Sequence, residues 1–181
     1  MITVVIGKPG SGKSKMAEDI AVSYEGRRYY IATMKIMDEE GRLRVLRHQK
    51  AREGKDFITL ETEVDIISTL GRMDHPDESV VLLECMANLV GNEMHREEPL
   101  SDVYHGGEAG MEDFARKVTK QVLNLGHSVR QLIVVTSEYP ADEADDEDTV
   151  LYKKALSKVN LLLCDAADRV YDSGSSNITG H

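Results

Sequence analysis

Tryptophan is absent, phenylalanine occurs twice, and aromatic residues make up only 5% of the chain. The core must therefore be built from Val, Ile, Leu, Met and Ala. The two cysteines, Cys85 and Cys164, make no disulfide framework, and there is neither a CxxC nor a Cys/His cluster at metal-ligand spacing. Both lie in apolar stretches, where a small buried hydrophobe is the ordinary reading. No apolar run approaches the roughly 20 residues of a membrane span. The opening Met1-Ile2-Thr3-Val4-Val5-Ile6-Gly7 lacks the basic region and cleavage site of a secretion signal. The expectation is a cytoplasmic protein. Basic residues are also short, 22 against 32 acidic, for a net charge of −10. That disfavours nucleic acid as the main partner, while a local basic cluster can still bind a phosphorylated small molecule.

What is present is globular: 181 residues with 41% hydrophobic and 30% charged, enough for one domain. Strand-like and helix-like segments alternate. Ile2 to Ile6, Arg28 to Ala32, Phe57 to Glu61, Val80 to Leu83, Leu132 to Val135 and Arg169 to Tyr171 read as strands. Lys13 to Ser23, Glu39 to Arg52, Val64 to Leu70, Met86 to Met94, Met111 to Leu125 and Val150 to Ala167 read as helices. This order predicts an α/β fold with a mostly parallel sheet and helices on both faces. Two stretches read as mobile: Arg96 to Gly110, rich in glycine, and Ala141 to Asp148, with six carboxylates in eight residues. The acidic run lacks the EF-hand pattern and reads as a solvated loop. Residues 1–172 form one expected domain, and 173–181 a flexible tail.

Gly7-Lys8-Pro9-Gly10-Ser11-Gly12-Lys13-Ser14 matches G-x-x-x-x-G-K-[ST], with a strand before it and a helix after it. Glycines let successive backbone N–H groups point at phosphate oxygens, and the helix N-terminus adds partial positive charge. Lys13 is expected to reach the β- and γ-phosphates and Ser14 to hold Mg²⁺. The pattern arises by chance in about one chain of this length in a hundred, and its placement lowers that further. The expected fold is thus P-loop NTPase-like, and residues 1–172 a single P-loop nucleotide-binding domain. Such a site also needs an acid at the end of a nearby strand. Glu84, after Val80-Val81-Leu82-Leu83, supplies one and is the second metal candidate.

Arg44, His48 and Arg52 are spaced i, i+4, i+8 and share a helix face, with Arg47 close by. Spacing alone fits a solvated face with an incidental histidine. The functional reading is that a neutral imidazole is a nucleophile and that Arg44 and Arg47 contact the phosphates it attacks.

At this point the chain resembles the bifunctional adenosylcobinamide kinase / adenosylcobinamide-phosphate guanylyltransferases of adenosylcobalamin biosynthesis. The resemblance rests on Gly7 to Ser14, Tyr30-Ile31-Ala32-Thr33, Arg44-x-x-x-His48, Thr59-Leu60-Glu61, Leu82-Leu83-Glu84-Cys85 with Asn88, Val134-Val135-Thr136-x-Glu138, and Val159-Asn160 followed by Ala166-Ala167-Asp168. It runs from residue 1 to about 171. It implies phosphorylation of the adenosylcobinamide hydroxyl by ATP or GTP, and transfer of GMP from GTP through a GMP-histidine intermediate at His48. It also implies that Ala32, Thr33, Met34, Gln49, Lys50, Ala51, Arg52, Glu61 and Glu84 join the loop in nucleotide binding. Family members with this plan form trimers, so a homo-oligomer is expected.

Three segments depart from the family pattern: Ser137-Glu138-Tyr139-Pro140 with the acidic run, the loop His95 to Gly110, and Ser173 to His181. They leave the nucleotide site intact and bear on the corrinoid pocket and subunit contacts. Two other readings use the same loop. One is a small-molecule kinase without guanylyl transfer, in which His48 is incidental. The other is a GTP-dependent regulatory module. Asp38-Glu39-Glu40-Gly41 fits D-x-x-G in letters, but it follows no apolar strand and no Asn-Lys-x-Asp motif exists.

Overall fold

The computed structural model describes residues 1–36, 38–97, 100, 102–174 and 178–180; of Arg44, Ala51 and 178–180 it describes the backbone alone. The apolar runs become β1 (Ile2–Gly7), β4 (Val80–Glu84) and β5 (Gln131–Ser137), every residue of which is buried. Continuous apolar runs do this in a sheet covered on both sides. Around them lie β2 (Arg28–Ala32), β3 (Phe57–Glu61), β6 (Arg169–Asp172) and β7 (Ile178–Gly180). The order across the sheet is β3-β2-β4-β5-β1-β6-β7. The first six strands are parallel, and β7 alone runs antiparallel, against β6.

Alternate side chains of the sheet form two cores. Val5, Tyr30, Val80, Leu82, Ile133 and Val135 pack with Ala17 and Ala21 of α1 (Lys13–Val22). Val4, Ile31, Val81, Leu83 and Val134 belong to the larger core. That core is completed by α3 (Met86–Met94), α4 (Gly107–Ser128) and α5 (Glu147–Ala166). The crossover from β2 to β3 carries α2 (Glu39–Ala51). Asp38 caps it by accepting from the Gly41 N–H at 2.7 Å, so the D-x-x-G letters serve as a helix start.

Val64 to Leu70, expected as a short helix, is a 3-10 helix over Ile66–Arg72. In the stretch expected to be mobile, of which 98, 99 and 101 lie outside the described residues, two glycines allow close backbone approach. A Cβ at Gly106 or Gly110 would collide with the Asp102 carbonyl, and α4 already starts at Gly107. The acidic run lies largely exposed, as expected of a solvated loop, and its last residues start α5. Asp146 caps α5 through the Thr149 N–H at 2.7 Å, and Lys153 donates to Asp145 at 2.6 Å. The expected tail starts at Ser173, whose hydroxyl lies 2.5 Å from that of Ser11; its residues 175–177 and 181 lie outside the described residues. It then supplies β7, because the free backbone edge of β6 accepts a strand whatever its side chains.

Candidate functional site

The site lies where the parallel strands end, as sheets of this kind dictate. After β1 the chain curls through Gly10 and Gly12, at φ 77° and 85°, where a side chain would be strained, and enters α1 at Lys13. Glu84 ends β4, two strands from β1 with β5 between, a gap of about 10 Å. Ser14 spans the gap. Its hydroxyl donates to Glu84 Oε1 at 2.5 Å.

Glu84 is the hub. Tyr30, two residues before the end of β2, donates its hydroxyl to Glu84 Oε2 at 3.0 Å. His48 of α2 presents Nδ1 3.7 Å from Glu84 Oε1. Burial, with the Glu84 carboxylate next, pushes the Tyr30 phenol far above its usual range, so it is a permanent donor here. Over the Tyr30 ring lies the Arg52 guanidinium, 3.4 Å from the centroid. Arg52 is buried, and its Nη1 has no hydrogen-bond partner among the described residues. Lys13 is also buried and donates to the Lys8 carbonyl at 3.0 Å. Burial lowers its pKa, while Cys85 and Glu84 act in the opposite direction. The Cys85 thiol is pushed up to about 11, mainly by burial.

These groups line a cleft of about 710 Å³. Of the expected residues, Pro9, Gly10, Lys13, Ser14, Ala32, Met34, His48, Gln49, Arg52, Glu61 and Glu84 border it. Gly12 and Arg47 border an adjoining space of about 610 Å³ that shares Gly10, Lys13, Ser14 and His48 with the first. Gly7 ends β1, and Ser11 reaches Ser173. Lys8 opens on another groove, beside α5. Lys50 is exposed on α2. The side chains of Arg44 and Ala51 lie outside the described residues. Thr33 is fully buried, its hydroxyl donating to the Cys85 carbonyl at 2.9 Å and accepting from the Cys85 N–H at 2.8 Å. It thereby ties the end of β2 to the end of β4, beside the cis peptide Glu84–Cys85.

Sequence reasoning did not single out Tyr30 as a site residue. The available signal was strand alternation, which puts residues 30 and 32 on the face shared by 82 and 84. Thr59, Glu63, Asn88 and Tyr139 also line the cleft without having been assigned there. Ser14 and Glu84 offer adjacent hard oxygens, a donor set suited to Mg²⁺ when nucleotide phosphates complete it. No cluster of three or more His, Cys, Asp or Glu side chains that could hold a metal by themselves occurs among the described residues. Among those residues, too, no helix is long and apolar enough to cross a membrane.

The family model described as cobinamide kinase / cobinamide phosphate guanyltransferase, CobU, matches residues 3–175. The bifunctional adenosylcobalamin biosynthesis protein CobU of Escherichia coli (strain K12) is 28% identical over 141 residues, 78% of this chain and 71% of the relative. The G-x-x-x-x-G-K-S loop is thus joined through one carboxylate to a histidine-bearing helix. The chain belongs to the cobinamide kinase / cobinamide phosphate guanyltransferase family and is a transferase.

Proposed function

We propose that the protein carries out both family reactions in the cleft at the strand ends. It phosphorylates the adenosylcobinamide hydroxyl with ATP or GTP, and it moves GMP from GTP to adenosylcobinamide phosphate through a GMP-His48 intermediate. The observation that carries this reading is the meeting of Ser14, Glu84 and His48, with Ser14 Oγ 2.5 Å and His48 Nδ1 3.7 Å from one carboxylate oxygen.

The P-loop amides, Lys13 and Arg52 bind the phosphates, Arg47 of α2 contacts them as well, and Arg44 remains a phosphate-contacting candidate from its place in the sequence. Glu84 faces Nδ1 of His48 and favours the tautomer that carries its proton there, which leaves Nε2 as the nucleophile. The 3.7 Å separation is longer than a hydrogen bond, as catalytic contacts often are before substrate binds. The Nε2 lone pair attacks the α-phosphorus of GTP; an N–P bond forms, the α–β bridging P–O bond breaks, and pyrophosphate leaves. A phosphate oxygen of adenosylcobinamide phosphate then attacks the same phosphorus. The N–P bond breaks, adenosylcobinamide-GDP forms, and His48 is restored. Magnesium held by Ser14 and Glu84 would offset negative charge on the phosphates.

Glu84 lends itself to both halves: with Ser14 it serves the kinase step, with His48 the transferase step. Substituting His48→Ala separates them. Phosphorylation of adenosylcobinamide is expected to persist, while formation of adenosylcobinamide-GDP falls by about three orders of magnitude or more. Parallel loss of both activities in a folded variant, or survival of GMP transfer, contradicts the reading.

The single-domain organisation over residues 1–172, the cytoplasmic location and a homo-oligomeric state, a trimer as the family resemblance implies, belong to the same proposal. The last is supported by exposed Leu43 and Leu46 on α2, Ile36 before it, and Ile58 on edge strand β3.

A further inference from the structure

A second groove, of about 510 Å³, runs between the segment after β5 and α5. Lys8 of the P-loop, Ser137 and Tyr139 border it from one direction, and α5 contributes Leu156, Leu161 and Cys164, with the polar Lys153 and Asn160 beside them. Ser137 and Tyr139 also line the nucleotide cleft, so the two spaces share a wall. Helical periodicity turns Leu156, Val159 and Leu163 into the core and leaves the neighbouring leucines outside. Leu161 is 68% exposed, the most exposed large apolar side chain among the described residues, and Tyr139 is 39% exposed. Neither the core nor the chemistry at His48 accounts for an open apolar wall at the mouth of the active cleft.

In the reaction proposed above, a guanosine nucleotide on the P-loop occupies the cleft toward His48. The acceptor must then reach the phosphates from another side. The groove meets that requirement. Its apolar wall suits the flank of a bulky ring system, and its other end is a P-loop lysine beside the phosphates.

We propose that this groove is the acceptor subsite. It takes an apolar flank of adenosylcobinamide and directs the hydroxyl-bearing arm past Tyr139 toward the P-loop. The inference rests on cobinamide being the acceptor, and it is independent of the GMP-histidine intermediate.

Two measurements on the full chain test it. The first is adenosylcobinamide affinity, read from corrinoid absorbance, for wild type and Leu161→Asp. Leu161 is solvent-exposed, so the change leaves the fold intact. Affinity is expected to fall about tenfold or more, while GTP affinity and guanylylation of His48 stay as in wild type. The second is alkylation of Cys164 in wild type, followed on its own peptide so that Cys85 is distinguished. Adenosylcobinamide is expected to slow it and GTP to leave it unchanged. Undiminished corrinoid affinity in Leu161→Asp, or corrinoid binding that leaves Cys164 unprotected, overturns the proposal. So does a Cys164 that is unreactive until Leu161→Asp disperses an oligomer, for the groove is then an interface between copies. Wild-type protein that binds the corrinoid and protects Cys164, yet forms no GMP adduct, keeps the subsite and sinks only the guanylyl-transfer reading.

Discussion

At the scale of residues, the chemistry converges on the Glu84 carboxylate. Tyr30 holds one oxygen, Ser14 the other, and His48 faces that second oxygen. Tyr30→Phe removes a hydrogen bond to a charged group, worth about 1.5–3 kcal/mol, so GMP transfer is expected to slow about tenfold or more. Unchanged steady-state transfer would mean that Glu84 is positioned without Tyr30. Cys85 gives a second check. With its thiol pushed up to about 11, alkylation of folded protein near pH 8 should be negligible at Cys85 and rise steeply only in strong base. Rapid labelling at neutral pH contradicts that burial. Lys13, Ser14, His48 and Glu84 were legible in the sequence because each sits in a local pattern: a loop motif, a helix spacing, a strand end. Tyr30 and the stacking of Arg52 were not, because they depend on strand register and on where α2 stops. That helix ends at Ala51, so Arg52 turns in over the Tyr30 ring instead of continuing the helix face.

At the scale of elements, long apolar runs were the most readable. β1, β4 and β5 needed only their unbroken runs of apolar residues. Glycine-rich and acidic stretches were less so, since the same residues serve open loops, close backbone approach and helix caps. The acidic run supplies the cap of α5, and Asp146→Ala is expected to cost about 1 kcal/mol, read as a lower melting temperature. No change in melting would show that the cap is replaced. The loop before α4 is tied down by a clasp. His95 Nδ1 donates to the Gly91 carbonyl at 2.7 Å, and Nε2 lies 3.2 Å from Asp148 and 2.9 Å from the Tyr104 hydroxyl, which itself donates to Asp148 at 2.9 Å. The Gly91 carbonyl, followed by Asp148, raises the pKa of His95. A raised histidine pKa adds stability that is complete below the unfolded value of about 6.5 and is lost as pH rises through the folded value. Hydrogen exchange of 102–106, corrected for its intrinsic rate, should therefore quicken between about pH 6 and pH 8, and His95→Gln should flatten that dependence. A pH-independent rate in wild type contradicts the clasp.

At the scale of the whole molecule, strand order sets the distance between the two halves of the candidate site. Placing β5 between β1 and β4 opens about 10 Å between the P-loop and Glu84. The β2 to β3 crossover carries α2 and His48 to the edge of that gap. The alternation of strands and helices predicted this class of sheet. It did not predict β7, whose place comes from the unpaired edge of β6 more than from its own residues. The central claim is that His48 is a covalent nucleophile. The intact mass of the protein after incubation with GTP and Mg²⁺, without corrinoid, tests it most directly in wild type and His48→Ala. An acid-labile adduct of GMP mass on wild type alone is the predicted result. Folded, GTP-binding wild type that gains no mass, or an equal adduct on His48→Ala, would contradict it.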